Sequence, residues 1–209
     1  MTILLLIRHG ENDWAKRGVL AGRRPGVHLN ERGRKQAEEL GPALGGLPIR
    51  ALYSSPLERA METAAPLGKA LGLRVQRAPG LMETDVGRWE GKSVRRLALT
   101  KYWRIVQRSP SRAGHPGGET FMEVQLRIVA ALEAICAGHK PRDMVACVLH
   151  SDPIKLAVAH YVGLPLDNFQ RLTCDPASVT MLVVSPGSAR LVWLNRQPPF
   201  VIPKATAGR

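Results

Sequence analysis

Thr2-Ile3-Leu4-Leu5-Leu6-Ile7-Arg8-His9-Gly10 is the stretch whose reading decides the fold. The apolar run from Ile3 to Ile7 is too short to cross a bilayer and lacks the flanks of a secretory signal, so it predicts a strand. It is apolar at every position rather than at alternate ones, which suits a strand covered on both faces, the first and central strand of a parallel sheet. His9 then stands just beyond the carboxyl end of that strand, where open α/β sheets bind their ligands. An imidazole beside a guanidinium at that place points to an anionic ligand.

The chain has 209 residues, 44% of them apolar, enough for one domain with a two-sided core. That domain is expected to span residues 1–196, leaving 197–209, with Pro198, Pro199 and Pro203, as an extended or disordered tail. Cys136, Cys147 and Cys174 lie in or beside apolar segments, at unrelated spacings and without a Cys-x-x-Cys pair. Neither a zinc site nor a disulfide framework is indicated, and a reducing cytoplasm fits best. The formal charge of +13 raises the question of a polyanionic partner. The cations, however, are scattered as short pairs among acids, at Arg23-Arg24, Arg34-Lys35 and Arg95-Arg96. With few aromatic residues there is no basic strand on which bases could stack, so the charge reads as solubility or as steering of small phosphorylated substrates, not as nucleic-acid or membrane binding.

Outward from the first strand, strand and helix patterns alternate. Asn30 predicts the cap of a helix whose apolar side is Ala37, Leu40 and Leu44, ended by Gly45-Gly46. Ala51-Leu52-Tyr53 predicts a short strand. In Ser55-Pro56-Leu57-Glu58 the serine predicts an N-cap, the proline a first-turn residue and the glutamate a capping-box partner. That helix runs through Ala60, Ala64, Leu67 and Leu71, with Pro66 expected to bend it. A third strand is expected at Leu73 to Gln76, and Ser93 to Val106 has helical character without a clean stripe. Thr120 and Glu123 predict a capping box opening a helix with Phe121, Val124, Ile128, Leu132 and Ile135 on its apolar positions. Met144 to Leu149 repeats the continuous apolar pattern and ends at His150, so His150 repeats the placement of His9, and Asp152-Pro153 starts a helix. Ser178–Val184 and Arg190–Leu194, joined by Ser185-Pro186-Gly187-Ser188, predict a hairpin at the sheet edge. The alternation predicts a three-layer α/β/α sandwich with a mainly parallel sheet and an antiparallel edge strand.

These elements carry short motifs in a fixed order: Leu6-Ile7-Arg8-His9-Gly10-Glu11; Leu29-Asn30-Glu31-Arg32-Gly33; Tyr53-Ser54-Ser55-Pro56-Leu57-Glu58-Arg59-Ala60 with Thr63-Ala64; Leu81-Met82-Glu83 with Gly87-Arg88-Trp89-Glu90-Gly91; Gly117-Gly118-Glu119-Thr120; and Leu149-His150-Ser151-Asp152-Pro153-Ile154-Lys155. In that order they resemble the histidine phosphatase superfamily, which includes cofactor-dependent phosphoglycerate mutases and many small phosphomonoesterases. The resemblance implies that His9 attacks phosphorus and becomes a phosphohistidine while Arg8, Arg59 and His150 surround the phosphoryl oxygens. It also implies that Glu83 protonates the departing alkoxide and later deprotonates the hydrolytic water. The physical chemistry of these groups agrees. Neighbouring guanidiniums disfavour a protonated imidazole while attracting phosphate, and one carboxyl can serve as acid and then as base. No metal and no cofactor are implied, since arginines take the part that a divalent cation plays in other phosphoryl-transfer sites.

Asn12, Arg23 and Ser151 are further candidates for substrate contact, Glu11 for orienting arginines, and Trp14 and Trp89 for packing. Ser151 stands where many members of the family carry glycine. A backbone of positive φ there would strain serine, whereas use of its N–H alone would not. The short stretch between Gly91 and Gly117 favours hydrolysis over transfer, because a mutase must shield its phosphoenzyme from water. Its cations Lys92, Arg95, Arg96, Lys101 and Arg104 form a basic wall that could accept a second anionic group, which keeps phosphoglycerate mutase as the alternative. A non-catalytic phosphate- or phosphoprotein-binding module is the reading from another class, and binding alone would not require Glu83. An edge hairpin could also pair two copies into a homodimer.

Overall fold

The computed structural model describes residues 1–200. In chain order its elements are β1 (Thr2–Arg8), α1 (Asp13–Lys16), α2 (Glu31–Leu44), β2 (Ile49–Ser54), α3 (Glu58–Leu71), β3 (Val75–Arg77), α4 (Val94–Leu97), α5 (Lys101–Arg108), α6 (Phe121–Ala137), β4 (Met144–Leu149), α7 (Ser151–Val162), β5 (Val179–Ser185) and β6 (Ser188–Arg196). The strands form one six-stranded sheet in the order β3-β2-β4-β1-β5-β6. Strands β3, β2, β4 and β1 run parallel, and the hairpin of β5 and β6 adds the antiparallel edge. β1 is interior to the sheet, and its all-apolar sequence follows from that position. Leu4 and Leu6 point into the cluster built with Ile128, Leu132 and Val158, from α6 and α7. Leu5 and Ile7 point into the opposite cluster, with Leu40, Ala64 and Leu67 from α2 and α3. Helices α6 and α7 on one face and α2 and α3 on the other make the outer layers of a three-layer α/β/α sandwich, with the two clusters packed between them and the sheet. No described helix is long and apolar enough to cross a membrane.

Most helix starts lie where the sequence puts them. The Asn30 side chain accepts from Gly33 N at 2.8 Å, and Thr120 with Glu123 forms the reciprocal capping box of α6. The segment after Ser93 resolves into the short helices α4 and α5, and the third strand lies two residues later than expected. Two helix starts differ from expectation. α3 begins at Glu58 with Leu57 as a cap that lacks a side-chain hydrogen bond, and it runs on through Pro66. Ser55 and Glu58 do not form a capping box: the Glu58 carboxylate accepts from Gly26 N at 3.0 Å, and the Ser55 hydroxyl engages a histidine described below. α7 begins at Ser151, one residue before the expected Asp152. In the tail, Phe200 stacks on Trp193 with ring centroids 5.8 Å apart, and the rest of the expected tail, 201–209, lies outside the described residues.

The loop after β1 is held against the start of α2 by direct backbone approach. A Cβ on Gly33 would collide with the Glu11 carbonyl oxygen, and a Cβ on Gly10 with the Gly33 carbonyl oxygen. Gly33→Ala should therefore cost about 1–3 kcal/mol in urea unfolding, as overpacking does, while Gly46→Ala, with open space around it, stays within about 0.5 kcal/mol of the parent. Equal midpoints for the two variants would show that the loop yields without cost.

Candidate active site

Strand register brings the functional side chains together. Arg8 pairs with Leu149, His9 N donates to Leu149 O at 3.0 Å, and Ser55 N donates to Val148 O at 2.9 Å. The carboxyl ends of β1, β4 and β2 thus deliver His9, His150 and Ser55 side by side. The rings of His9 and His150 lie edge to face with centroids 5.1 Å apart, and both residues are buried. Arg59, almost fully buried, comes from the first turn of α3 and donates from Nη2 to Gly22 O at 2.8 Å. Thr63, one turn on, donates to Arg59 O at 2.7 Å and accepts from Gly10 N at 3.0 Å, tying that helix to the loop after β1.

Beside these groups opens a cavity of about 200 Å³ whose wall includes Arg8, His9, Asn12, Arg59, Glu83 and Asp152. The His9 Nδ1 lies 2.7 Å from Gly10 O. A carbonyl can only accept, so Nδ1 carries the proton of the neutral ring and Nε2 keeps its lone pair. Burial, and then the charges of Arg59 and Arg8, push the His9 pKa well below the ordinary histidine value; the same causes, with His9 added, do so for His150. Both imidazoles are therefore neutral near pH 7. His150 Nε2 lies 2.8 Å from Ser55 Oγ, while its buried Nδ1 has no hydrogen-bond partner and lies 3.9 Å from a Glu83 carboxylate oxygen. Arg8 Nε and Arg59 Nη1 are likewise buried without partners. Donors left in this state each cost on the order of 1–3 kcal/mol unless an acceptor arrives, which is what a cradle for an anion looks like when empty of protein acceptors.

Glu83 is placed by the backbone around it. Arg23 Nε donates to its carbonyl at 2.9 Å, and Arg127 donates to the carbonyls of Gly80 and Met82 at 2.9 Å each. Glu119 holds both arginines, at 2.8 Å from Arg23 and 2.8 Å from Arg127. Burial, and next the nearby Asp152 charge, push the Glu83 carboxyl up to about 7. Burial works against an ionised Asp152 as well, but Lys155 Nζ at 2.8 Å holds that carboxyl below its usual range.

Of the residues expected at the site, Arg8, His9, Asn12, Arg59 and Glu83 line the cavity, and His150 packs against the His9 ring without being among the lining residues. Asn12 also caps α1, accepting from Ala15 N at 2.9 Å. Arg23, expected as a substrate contact, is not among the residues lining the cavity; its Nη2 lies 2.8 Å from Glu119 and its Nε donates to the Glu83 carbonyl. Ser151 is also outside the wall, in the first turn of α7, where its backbone is helical and its φ is not positive, so the replacement of glycine brings no strain. Sequence reasoning missed four contributors: Ser55, Thr84, Asp152 and Arg127. Ser55 and Asp152 sit inside the quoted motifs but read there as helix-start residues. A larger cavity of about 390 Å³, lined by Met1, Cys136, His139 and Pro186, opens at the opposite end of the sheet and contains no arginine. Among the described residues no three His, Cys, Asp or Glu side chains are grouped so as to hold a metal ion.

Residues 4–197 match the model of the histidine phosphatase superfamily (branch 1). Phosphoserine phosphatase 1 of Hydrogenobacter thermophilus is 31% identical over 87% of this chain and 86% of its own length. The 2,3-bisphosphoglycerate-dependent phosphoglycerate mutase of Thermoplasma acidophilum is 28% identical over 90% of each chain. A solved mycobacterial glucosyl-3-phosphoglycerate phosphatase, in complex with VO3, superimposes with a TM-score of 0.86 at 29% identity, covering 93% of this chain and 99% of that one.

The raised Glu83 carboxyl has a consequence for stability. Its folded pKa, about 7, lies above the unfolded value of 4.5, so stability is present below pH 4.5 and is lost as pH rises toward 7. Glu83→Gln removes that loss. The variant should equal the parent near pH 4.5 and gain up to about 3 kcal/mol by pH 8 in denaturant titrations. A pH-independent difference between the two proteins would show that ionising this carboxyl costs the fold nothing.

Proposed function

The chain belongs to branch 1 of the histidine phosphatase superfamily, and from that premise we propose that it is a metal-independent phosphomonoesterase working through a phosphohistidine at His9. The observation that carries the reading is the joint state of three groups on one cavity: a neutral His9 with its Nε2 lone pair free, two arginines with unpaired buried donors, and a carboxyl poised near neutrality.

In the first step the Nε2 lone pair attacks phosphorus, the ester P–O bond breaks, and the Glu83 proton passes to the departing oxygen. Arg8 and Arg59 receive the charge spreading over the phosphoryl oxygens with fixed donors that need no reorganisation. The Ser55 hydroxyl, donating to His150 Nε2, keeps the His150 proton on Nδ1, where it can be donated to the phosphoryl group beside Glu83. Asn12 supplies an amide donor from the cavity wall. In the second step ionised Glu83 takes a proton from water, the water oxygen attacks phosphorus, and the N–P bond breaks to give inorganic phosphate and free His9. A carboxyl with pKa about 7 can hold the proton in one step and accept it in the next at neutral pH, which a carboxyl at its ordinary value could not. Cysteines without disulfide partners suit a cytoplasmic location for such an enzyme.

Phosphoglycerate mutase remains the competing reading because of the Thermoplasma relative. The segment over the site, with α4 and α5, is short for a cover that must exclude water from a phosphoenzyme, which favours hydrolysis. Incubation with 3-phosphoglycerate separates the two: a phosphatase releases inorganic phosphate, a mutase forms 2-phosphoglycerate. Tight phosphate binding with no turnover of either this substrate or p-nitrophenyl phosphate would instead mark a binding module.

With p-nitrophenyl phosphate in EDTA, turnover is expected to persist in the parent and to vanish in His9→Ala, and acid-labile phosphate should be trapped on the parent only. Turnover surviving in His9→Ala would remove the proposed nucleophile. For alkyl phosphates, kcat/KM should fall as pH rises through about 7, where Glu83 loses the proton that the leaving group needs. Glu83→Gln should abolish that limb and lower the rate about 10²–10⁴-fold. An unchanged limb would assign the acid to another group.

A further inference from the structure

The cavity has two unlike halves. His9, Arg8 and Arg59, with His9 and Arg59 buried, make what we call its inner half; Ala15, Val19, Leu20, Ala21, Val86 and Val94, most of them more exposed, make its outer half. Among the described residues no cation belongs to the outer half, and three cations bonded to wall residues have their side chains engaged. Arg23 is paired with Glu119 at 2.8 Å, Lys155 with Asp152 at 2.8 Å, and Arg24 lies over the Trp14 ring and 3.9 Å from Glu90. Lys92, Arg95 and Arg96, expected to form a basic wall, are exposed and outside the cavity wall, while their neighbour Val94 is in it. The acidic groups in the wall are Glu83 and Asp152. Apart from the arginine donors, one polar side chain of the wall has a buried atom without a partner: Thr84, 1% exposed, whose Oγ1 makes no hydrogen bond.

Resting on the phosphatase reading above, we propose that the substrate is a phosphomonoester of a compact, uncharged alcohol, with no second anionic group, and that Thr84 Oγ1 is the hydrogen-bonding contact to that alcohol. The reasoning is one of desolvation. A carboxylate or second phosphate carried into the outer half would give up water, find apolar walls in place of a cation, and stand near two carboxylates. An uncharged alcohol gives up little water against the valine, leucine and alanine surfaces, and one hydroxyl on it satisfies the stranded threonine. The inner cations do not relieve the penalty, because their free donors are taken by the phosphoryl group itself. Sites of this kind discriminate most strongly through the group they leave unpaired, so the carboxylate is rejected more sharply than a methylene would be.

Glycerol 3-phosphate and 3-phosphoglycerate make the matched test, since they differ at one end by a hydroxymethyl against a carboxylate. With p-nitrophenyl phosphate as the reference for basal turnover, kcat/KM should favour glycerol 3-phosphate over 3-phosphoglycerate by at least about tenfold. Val94→Lys should shrink or reverse that ratio by supplying the missing cation. Thr84→Val should lower kcat/KM for glycerol 3-phosphate about tenfold more than for p-nitrophenyl phosphate, the worth of one hydrogen bond. A parent that prefers 3-phosphoglycerate overturns the substrate class while leaving the phosphatase reading intact. Equal losses on both substrates in Thr84→Val overturn the threonine contact. No turnover of any of the three esters overturns the phosphatase reading itself, and this inference falls with it.

Discussion

The site depends on how three neighbouring strands end. β1, β4 and β2 are parallel and in a register that sets Arg8 against Leu149 and Ser54 against Val148. Two backbone hydrogen bonds continue that ladder past the strands, His9 N to Leu149 O and Ser55 N to Val148 O. Side chains alternate along a strand, so a slip of one residue in β4 would turn His150 to the other face and bury an apolar neighbour's place in the site. The register is fixed by burial on both faces, since Leu4 and Leu6 fill one core and Leu5 and Ile7 the other. The apolar run that settles the fold thereby also settles the separation of the two imidazoles.

What the strands deliver is electrostatically uncomfortable. Two arginines with stranded donors, two imidazoles kept neutral by burial and charge, and a carboxyl pushed to about 7 share one small volume. Each of these departures opposes folding, and Arg8 Nε, Arg59 Nη1 and His150 Nδ1 find no protein partner. The surrounding frame makes them tolerable. Thr63 ties Arg59 to Gly10, and the Arg23–Glu119–Arg127 cluster clamps the loop that carries Glu83. Removing a group from such a site would be expected to trade activity for stability, because the strain is located at the groups proposed to do the chemistry.

Sequence alone made much of this legible, and the limits have a common cause. The apolar strands β1 and β4, the Asn30 and Thr120 caps and the edge hairpin depend on local period and on hydrogen bonds within a few residues, so they read correctly. Ser55 did not. Its serine-proline-x-glutamate pattern matches a capping box, but the helix begins only at Glu58, whose carboxylate accepts from the distant Gly26 N, and the Ser55 hydroxyl lies against His150, also distant in sequence. Arg23 likewise has partners, Glu83 and Glu119, that lie far along the chain and leave no local signal. Ser151 turned out to need nothing unusual, because the backbone after His150 is already helical. Local patterns state what a side chain can do; which offer is taken up is decided by partners that only the fold brings within reach.

The large positive charge fits this division between near and far. The segment from Lys92 to Arg112 carries Lys92, Arg95, Arg96, Lys101, Arg104, Arg108 and Arg112 without an intervening acid, yet it gives the cavity wall only Val94. Exposed charges at that distance act through water, over about 8–10 Å at physiological salt, and they select for net charge rather than for shape. They can raise the local concentration of any phosphate ester and its rate of encounter without contributing to discrimination among esters. Discrimination then falls to the cavity, where, among the described residues, Arg8 and Arg59 are the only arginine or lysine side chains in a wall that is otherwise apolar, uncharged polar or acidic. The excess charge on the surface and its scarcity inside are therefore compatible with the proposed reading, in which the first would draw dianions in and the second would decide which of them has an alcohol that the outer half can hold.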